Sequence, residues 1–342
     1  MAKTVAAAIV TYNRLDLLKE CLANVLNQGE YLGHVIVVDN LSNDGTKEYL
    51  DSLDDDRLVI YHSPSNLGGA GGFNMAVKLF AEKLDDDYVW LMDDDTMVQE
   101  NALKYLVEFM DEHPQTSFVN SQVRWGSIDG NPSWMNVNSP RAFTWPRFLQ
   151  EDNQAIEVVN STFVSVMFSR DMVAMVGLPQ KEYFIWGDDI EYTNRMANAY
   201  RGYMVVKSLA VHKSKENTLP GDIVRESDAK RLWRYRYEFR NRVLTARRIS
   251  KKELFFVLAK IYCRDLVKLM ITPRVAYRFK KIGMVGWGGI RGLFFNPKIE
   301  YADIPRKPVR SINKLIKEAQ AKQPGQALTM AQELEIIEDG QK

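Results

Sequence analysis

Tyr88-Val89-Trp90-Leu91-Met92-Asp93-Asp94-Asp95-Thr96 is the stretch that decides the reading of this chain. Its apolar half predicts a buried strand, and three consecutive carboxylates close it. Adjacent negative charges repel, so a strand end tolerates such a triplet most readily where a cation will sit. A hard divalent ion such as Mg²⁺ or Mn²⁺ takes carboxylate oxygens, often together with the phosphate oxygens of a nucleotide. Most Asp runs are solvated turns, and Asp54-Asp55-Asp56 and Asp85-Asp86-Asp87 read that way. Position sets the third triplet apart, because open α/β sheets bind ligands at the carboxyl ends of their strands.

The pattern on either side of this strand alternates. Strands are expected over 5–10, 34–39, 57–61 and 88–92, with helices over 15–26, 46–53, 71–84 and 101–112. Short strands separated by helices imply a mainly parallel, doubly wound sheet. Further strands are expected over 118–124 and 163–168, separated by a stretch holding Trp125, Trp134 and Trp145. Helices over 171–176 and 187–199 and a strand over 205–211 complete this part. Long basic, aromatic helices are expected over 223–249 and 251–271, and a partly helical tail beyond Arg306. The expected division is 1–220, a catalytic domain; 221–300, a basic helical region; and 301–342, a tail.

The 342 residues suffice for a sizeable core, and 46% hydrophobic with 26% charged residues is a globular balance. Cys21 and Cys263 stand far apart, in no disulfide-framework or zinc spacing. The net charge of +1 hides an asymmetry. Residues 225–282 hold 18 Lys and Arg against 5 Asp and Glu, and the remainder holds 27 against 39. A basic block beside an acidic body suggests an anionic partner. The expectation is a cytoplasmic protein, peripheral on the inner face of the plasma membrane.

Four more segments carry chemistry. Thr11-Tyr12-Asn13-Arg14 and Asp39-Asn40 follow the first and second strands, and a strand-end Asp can accept bonds from a base or ribose. In Asn66-Leu67-Gly68-Gly69-Ala70-Gly71-Gly72, four glycines leave helix-start N–H groups unshielded, which suits a diphosphate; a flexible loop is the plainer alternative. Trp186-Gly187-Asp188-Asp189 opens a helix, where an Asp either caps or, held near a hydroxyl, acts as general base. His212 ends a strand; imidazole suits Mn²⁺, although a lone His is more often structural.

In their order and separations these segments resemble family-2 glycosyltransferases of the GT-A fold, over roughly residues 4–215. The resemblance implies an α/β, doubly wound mixed sheet followed by a basic helical C-terminal region. It implies a nucleotide-diphosphate sugar donor, a divalent Mn²⁺ or Mg²⁺, and inversion at the anomeric carbon. Carried over by motif, Thr11, Tyr12, Arg14 and Asp39 hold the base and its surroundings. Asn66, Gly68 and Gly69 approach the ribose and diphosphate, and Asp93, Asp94 and Trp186 complete the donor site. Asp93, Asp95 and His212 hold the metal. Asp189 is the base, with Asp188 standing where many members have Glu.

The Gly-rich loop, the full Asp triplet and Tyr237-Glu238-Phe239-Arg240-Asn241-Arg242 resemble galactofuranosyltransferases. Asn160-Ser161-Thr162-Phe163 replaces the tandem Trp of the mycobacterial galactan polymerases, so their acceptor preference does not carry over. Related rhamnosyltransferases, using dTDP-rhamnose, share much of the pattern. The acceptor implied is a glycan or lipid-linked glycan hydroxyl. Residues 254–271 either lie in an anionic membrane interface or pack on the catalytic domain, and a homo-oligomer contact is a further role for this region. Nucleotidyl transfer, and nucleic-acid binding through the basic block, are competing readings. The base motif speaks against the first and the acidic strand ends against the second, so no nucleic acid is expected.

Overall fold

The computed structural model describes residues 3–141, 155–217, 222–322 and 328–341, so Trp145 lies outside the described residues. Its centre is one nine-stranded mixed sheet. β1 (Val5–Thr11), β2 (Leu32–Asp39), β3 (Leu58–His62) and β4 (Tyr88–Asp93) are parallel, in the spatial order β3-β2-β1-β4. Their carboxyl ends are in register: Thr11 pairs with Asp39, Asp39 with His62, and Val10 with Asp93. The order continues through β8 (Val166–Ser169), β6 (Thr116–Trp125), β9 (Arg201–His212) and β5 (Thr96–Val98), with β7 (Ala155–Val158) also on β9. β8 runs antiparallel to β4 and β6, which makes the sheet mixed.

Strand alternation builds a core on each face. Val5, Ala7 and Ile9 of β1 join Trp90 and the buried residues of α1 (Leu15–Leu26) and α4 (Ala102–Glu112). Ala6, Ala8 and Val10 face α3 (Gly68–Lys83), α5 (Arg170–Val176) and α6 (Asp188–Ala197). α2 (Thr46–Asp51) joins β2 to β3. The small β1 side chains let α3 lie close. A Cβ on Gly72 would stand 2.5 Å from Val10 Cγ1.

The basic region forms its own small core, centred on α7 (Tyr235–Ile249) and α10 (Arg278–Phe294), through Leu232, Phe239, Val243, Ile261, Leu269 and Val285. Here the structure corrects several expectations. Residues 222–231 form no helix, and α7 starts only after a 3₁₀ turn over Leu232–Arg234. The segment 251–271 is divided into α8 (Lys251–Ala259), a π-helical turn (Lys260–Asp265) and α9 (Leu266–Ile271). β5 and β7 carry no sequence signal of their own; each is a short segment made a strand by pairing with β9. β9 itself runs twelve residues, Arg201–His212, starting four residues before the expected 205 and ending one beyond 211.

The tail, α11 (Ile312–Lys322) and α12 (Met330–Gln341), docks back on the sheet domain. Glu333 pairs with the buried Arg201, and Gln341 Nε2 donates to Ala199 O at 2.8 Å.

Candidate active site

Asp93 ends β4 at the cleft, half-buried, and Asp94 and Asp95 are buried in the turn to β5. β5 pairs antiparallel with β9 so that Thr96 lies opposite His212. That pairing brings Asp95 to the imidazole, with Oδ1 3.1 Å from His212 Nε2. Asp94 Oδ2 accepts from Thr11 Oγ1 at 2.8 Å. Arg14 Nη1 reaches Asp94 Oδ1 at 3.1 Å and Asp95 Oδ2 at 2.6 Å. The half-exposed Arg14 thus covers the triplet as a cation.

The three carboxyls separate in affinity for a proton. Burial and the charges of Asp95 and Asp94 hold Asp93 well above the usual carboxylate range. Burial lifts Asp94 to about 6 against the pull of Arg14. Burial acts on Asp95 too, but His212 and Arg14 outweigh it and hold that carboxyl low. Burial lowers and Asp95 raises His212, with a net rise.

The donor set around Asp95 fits a divalent cation. Asn136 Oδ1 accepts from Ser133 Oγ at 2.6 Å, while its Nδ2 donates to Thr162 Oγ1 at 2.8 Å; this network assigns the amide. The same Oδ1 lies 2.9 Å from His212 Nδ1, so Nδ1 carries the hydrogen and Nε2 faces Asp95. The Nε2–Oδ1 approach is 3.1 Å, and among the described residues Asp95 Oδ1 has no hydrogen-bond partner. A buried carboxylate oxygen left without a hydrogen and an oriented imidazole nitrogen are what Mn²⁺ or Mg²⁺ would use. Among the described residues no three His, Cys, Asp or Glu side chains converge into a metal cage. Asp93, Asp95 and His212 are therefore neighbours and not a closed three-residue site, and a cation here would need oxygens from a ligand or water.

The nucleoside side is built on β1 and β2. Tyr12 is 47% exposed at the rim. Asp39 is buried, accepting from Ser42 N at 2.9 Å, with His62 Nδ1 2.9 Å from its other oxygen.

The glycine loop departs from expectation. Three of its N–H groups are already bonded: Leu67 N donates to Asn40 Oδ1, Gly68 N to Asn66 Oδ1 and Ala70 N to Phe184 O. Gly68 has φ +69°, and a Cβ there would stand 2.1 Å from Phe184 O. Gly68 serves the close approach of α3 to the loop before Asp188, Gly71 and Gly72 lie against Leu67 and Val10, and Gly69 faces open space. At Gly68 the loop is a packing joint, while Gly69 stays open. Asn66 Oδ1 accepts within that joint, from Gly68 N and Asn40 Nδ2, and the residue is otherwise exposed.

On the far side of the joint, Asp188 is buried and Asp189 half-buried at the start of α6. Burial and Asp189 hold Asp188 well above the usual carboxylate range. Burial, opposed by the Ile190 N–H and reinforced by Glu238, lifts Asp189 to about 6. No cationic side chain bonds either carboxylate among the described residues. Trp186 flanks them, edge-on to Tyr235 and under the Arg234 guanidinium.

Two links join this carboxylate pair to the acidic triplet. Arg234 is close enough to Arg14 that burial, Arg231 and Arg14 all lower its pKa. Thr193 Oγ1 lies 2.7 Å from Asp189 O and 2.9 Å from Ser161 N, and the adjacent Thr162 bonds Asn136, the partner of His212. The stretch Ser161-Thr162 therefore spans from the neighbourhood of His212 to the helix that carries Asp189. Asn40, His62, Asn136, Arg234 and Asn241 are structural members of the site to which the sequence reading gave no role of their own. Asn40 and Asn241 had a visible signal, being adjacent to singled-out residues; Asn136 sat in a stretch without periodicity.

Residues 7–176 match the model of Glycosyl transferase family 2. Galactofuranosyltransferase GlfT1 of Mycolicibacterium smegmatis is 28% identical over 206 residues, 58% of this chain and 66% of that protein. The chain thus spans just under two thirds of the length of such curated relatives. S. aureus TarS 1-349 in complex with UDP-GlcNAc superposes with a TM-score of 0.54 at 15% identity, over 83% of this chain and 80% of that one. GalNAc-T7 with UDP, GalNAc and Mn²⁺ gives 0.54 at 16% identity, over 70% and 50%. These likenesses show the shared GT-A fold. The family match ends at Val176, before Asp188, Asp189 and His212.

Proposed function

From the premise that this chain carries a Glycosyl transferase family 2 domain, we propose an inverting, metal-dependent glycosyltransferase that moves galactofuranose from UDP-galactofuranose to a hydroxyl of a growing or lipid-linked cell-surface glycan. One observation carries the reading. The cleft joins a cation-seeking pair, Asp95 and His212, to a desolvated carboxyl, Asp189, with no cationic bond of its own. The relationship to a galactofuranosyltransferase supports the choice of donor.

On this reading Thr11, Tyr12, Arg14 and Asp39 surround the nucleoside, and Gly69 lets the ribose and diphosphate approach. Asp93, Asp94 and Trp186 flank the sugar. A Mn²⁺ or Mg²⁺ held by Asp95 and His212, beside Asp93, would offset the charge that develops on the departing diphosphate. Asp189 accepts the proton of the acceptor hydroxyl. That oxygen bonds the anomeric carbon as the bond to the diphosphate oxygen breaks, and the nucleotide leaves with the electron pair. Arg14 lies where it can balance that charge. One carboxylate base and no second placed nucleophile give inversion.

The basic helical region supports a membrane-borne acceptor at the cytoplasmic face. Phe255, Ile271, Phe279, Trp287 and Phe294 are exposed among its Lys and Arg residues, and no helix among the described residues is long and apolar enough to cross a membrane. Co-sedimentation with anionic vesicles, weakened by Phe279→Ser with Phe294→Ser, tests this; unchanged sedimentation removes the membrane from the reading.

The donor test is a panel of UDP-galactofuranose, UDP-galactopyranose and dTDP-rhamnose with Mn²⁺ or with chelator. Metal-dependent turnover of UDP-galactofuranose is expected. Turnover of dTDP-rhamnose instead makes the chain a rhamnosyltransferase, and turnover unaffected by chelator removes the metal.

A further inference from the structure

The loop that delivers Asp189 is held in a backbone conformation it would not keep alone. Phe184 has φ 65°, Trp186 φ 64° and Gly187 φ 88°. Bulky side chains avoid this left-handed region, so two such residues beside a glycine persist only where their surroundings hold them. The holding groups come from α7, in the basic helical region outside the matched family segment. Asn241 is 1% exposed. Its Nδ2 donates to the carbonyls of Tyr183 at 3.1 Å, Ile185 at 3.1 Å and Trp186 at 2.8 Å, sharing two hydrogens among three acceptors. Its Oδ1 accepts from Arg240 Nε and Nη2 at 3.0 and 2.8 Å. Arg240 Nη2 also donates to Glu182 O at 2.6 Å.

The same helix grips the flanks of the loop. Tyr183 Oη and Thr245 Oγ1 are 2.9 Å apart, and Arg248 Nη1 bonds Glu191 Oε1 of α6 at 2.6 Å. Asn241, Thr245 and Arg248 are spaced as one helical face. That face fixes both ends of a segment whose central peptides carry the strain. α7 is itself locked by α10, whose Gly288 and Gly292 lie against Phe239 and Val243.

We propose that Asn241, oriented by Arg240, is a positioning residue for the acceptor base: it holds the loop 184–187 so that Asp189 faces the acceptor hydroxyl, which makes the basic helical region part of the catalytic apparatus. This rests on the reading of Asp189 as base. Neither residue touches substrate in this proposal; both act through the loop backbone.

The experiment compares the full chain, Asn241→Ala and Arg240→Gln, with Asp189→Asn as a control. Each is measured by steady-state kinetics and by hydrogen exchange of the 184–190 amides. Asn241→Ala is expected to lower kcat about 100-fold, as for displacement of a reacting group by an ångström, with donor KM little changed. Exchange at 184–190 should accelerate while β1 and β4 stay protected. Arg240→Gln should do the same to a smaller degree, and it decides the matter if Asn241→Ala does not fold. Asp189→Asn should cut kcat by about 10³-fold without accelerating exchange. A folded variant with kcat and loop exchange both unchanged overturns the proposal, as does a rise in donor KM equal to the loss in kcat/KM. If the unaltered chain turns over no nucleotide sugar, the transferase reading fails, and the exchange comparison alone decides whether Asn241 holds the loop.

Discussion

Two acidic clusters occupy one cleft, and their surroundings are opposite. Asp93-Asp94-Asp95 is met by a cation and an imidazole: Arg14 lies across Asp94 and Asp95, and His212 faces Asp95. Asp188-Asp189 is met by none among the described residues; its charged neighbours in the electrostatic balance are Glu191 and Glu238. The first cluster keeps at least Asp95 ionised and ready for a metal, and the second keeps its carboxyls reluctant to ionise. Environments that push like groups apart in this way assign different tasks to the same residue type. Within the triplet Asp95 is the carboxyl held ionised, whereas both members of the pair are held toward the protonated form.

The largest expected effect tests the second half of this contrast. Asp189→Asn should cut kcat by about 10³-fold while isothermal titration still shows donor binding. Activity that persists moves the base to Asp188. For the first half, Asp95→Asn should lower metal-dependent transfer about 100-fold, and full turnover in that variant would sink the metal assignment. A subtler probe is Asn136→Ala, which frees the imidazole tautomer. Mn²⁺ affinity, read by electron paramagnetic resonance, should fall roughly 10- to 100-fold; an unchanged affinity would mean that His212 needs no orienting partner.

The pH dependence follows from the lifted Asp189 carboxyl, at about 6. A base must be ionised, so kcat should rise with pH through this value and level above it. An acidic limb at the ordinary carboxylate value would show that the loop opens to solvent during turnover.

The smallest effect is in stability. Asp189 has a folded pKa raised above its unfolded value, so its charged form destabilises the fold. The penalty is absent below about pH 4 and complete above about pH 6. Asp189→Asn should therefore stabilise the chain by roughly 1 kcal/mol at pH 7.5, after a discount for partial exposure. Asp95 is held low, so its contribution is present above its unfolded value and lost as pH falls. Asp95→Asn should destabilise at pH 7.5, and chemical denaturation of both variants would show the opposite signs. Shifts of the same sign would erase the contrast between the clusters.

The two halves of the cleft were not equally legible. The acidic triplet announces itself because its strand does: the apolar run from Tyr88 sets where β4 stops, and the charges begin there. Thr11 and Asp39 are legible for the same reason. The glycine loop reads two ways in sequence, because glycine is equally suited to binding a phosphate and to letting two backbones meet, and at each position only the neighbour distinguishes them. Here that neighbour is Phe184 O. The basic segment was assigned to helices without any indication that one face of it reaches the base.

By itself, then, the sequence determined the parallel strands, the residues at their carboxyl ends and the helix that begins at Asp188. Each of these is written in local period, charge and cap chemistry. The tertiary structure alone decided that β5 pairs with β9 and sets Asp95 against His212, that Arg14 rather than a bare solvent shell covers the triplet, and that Asn241 holds the strained loop before Asp189. Those contacts join segments far apart in the chain. They depend on register and burial between elements, which no local pattern specifies.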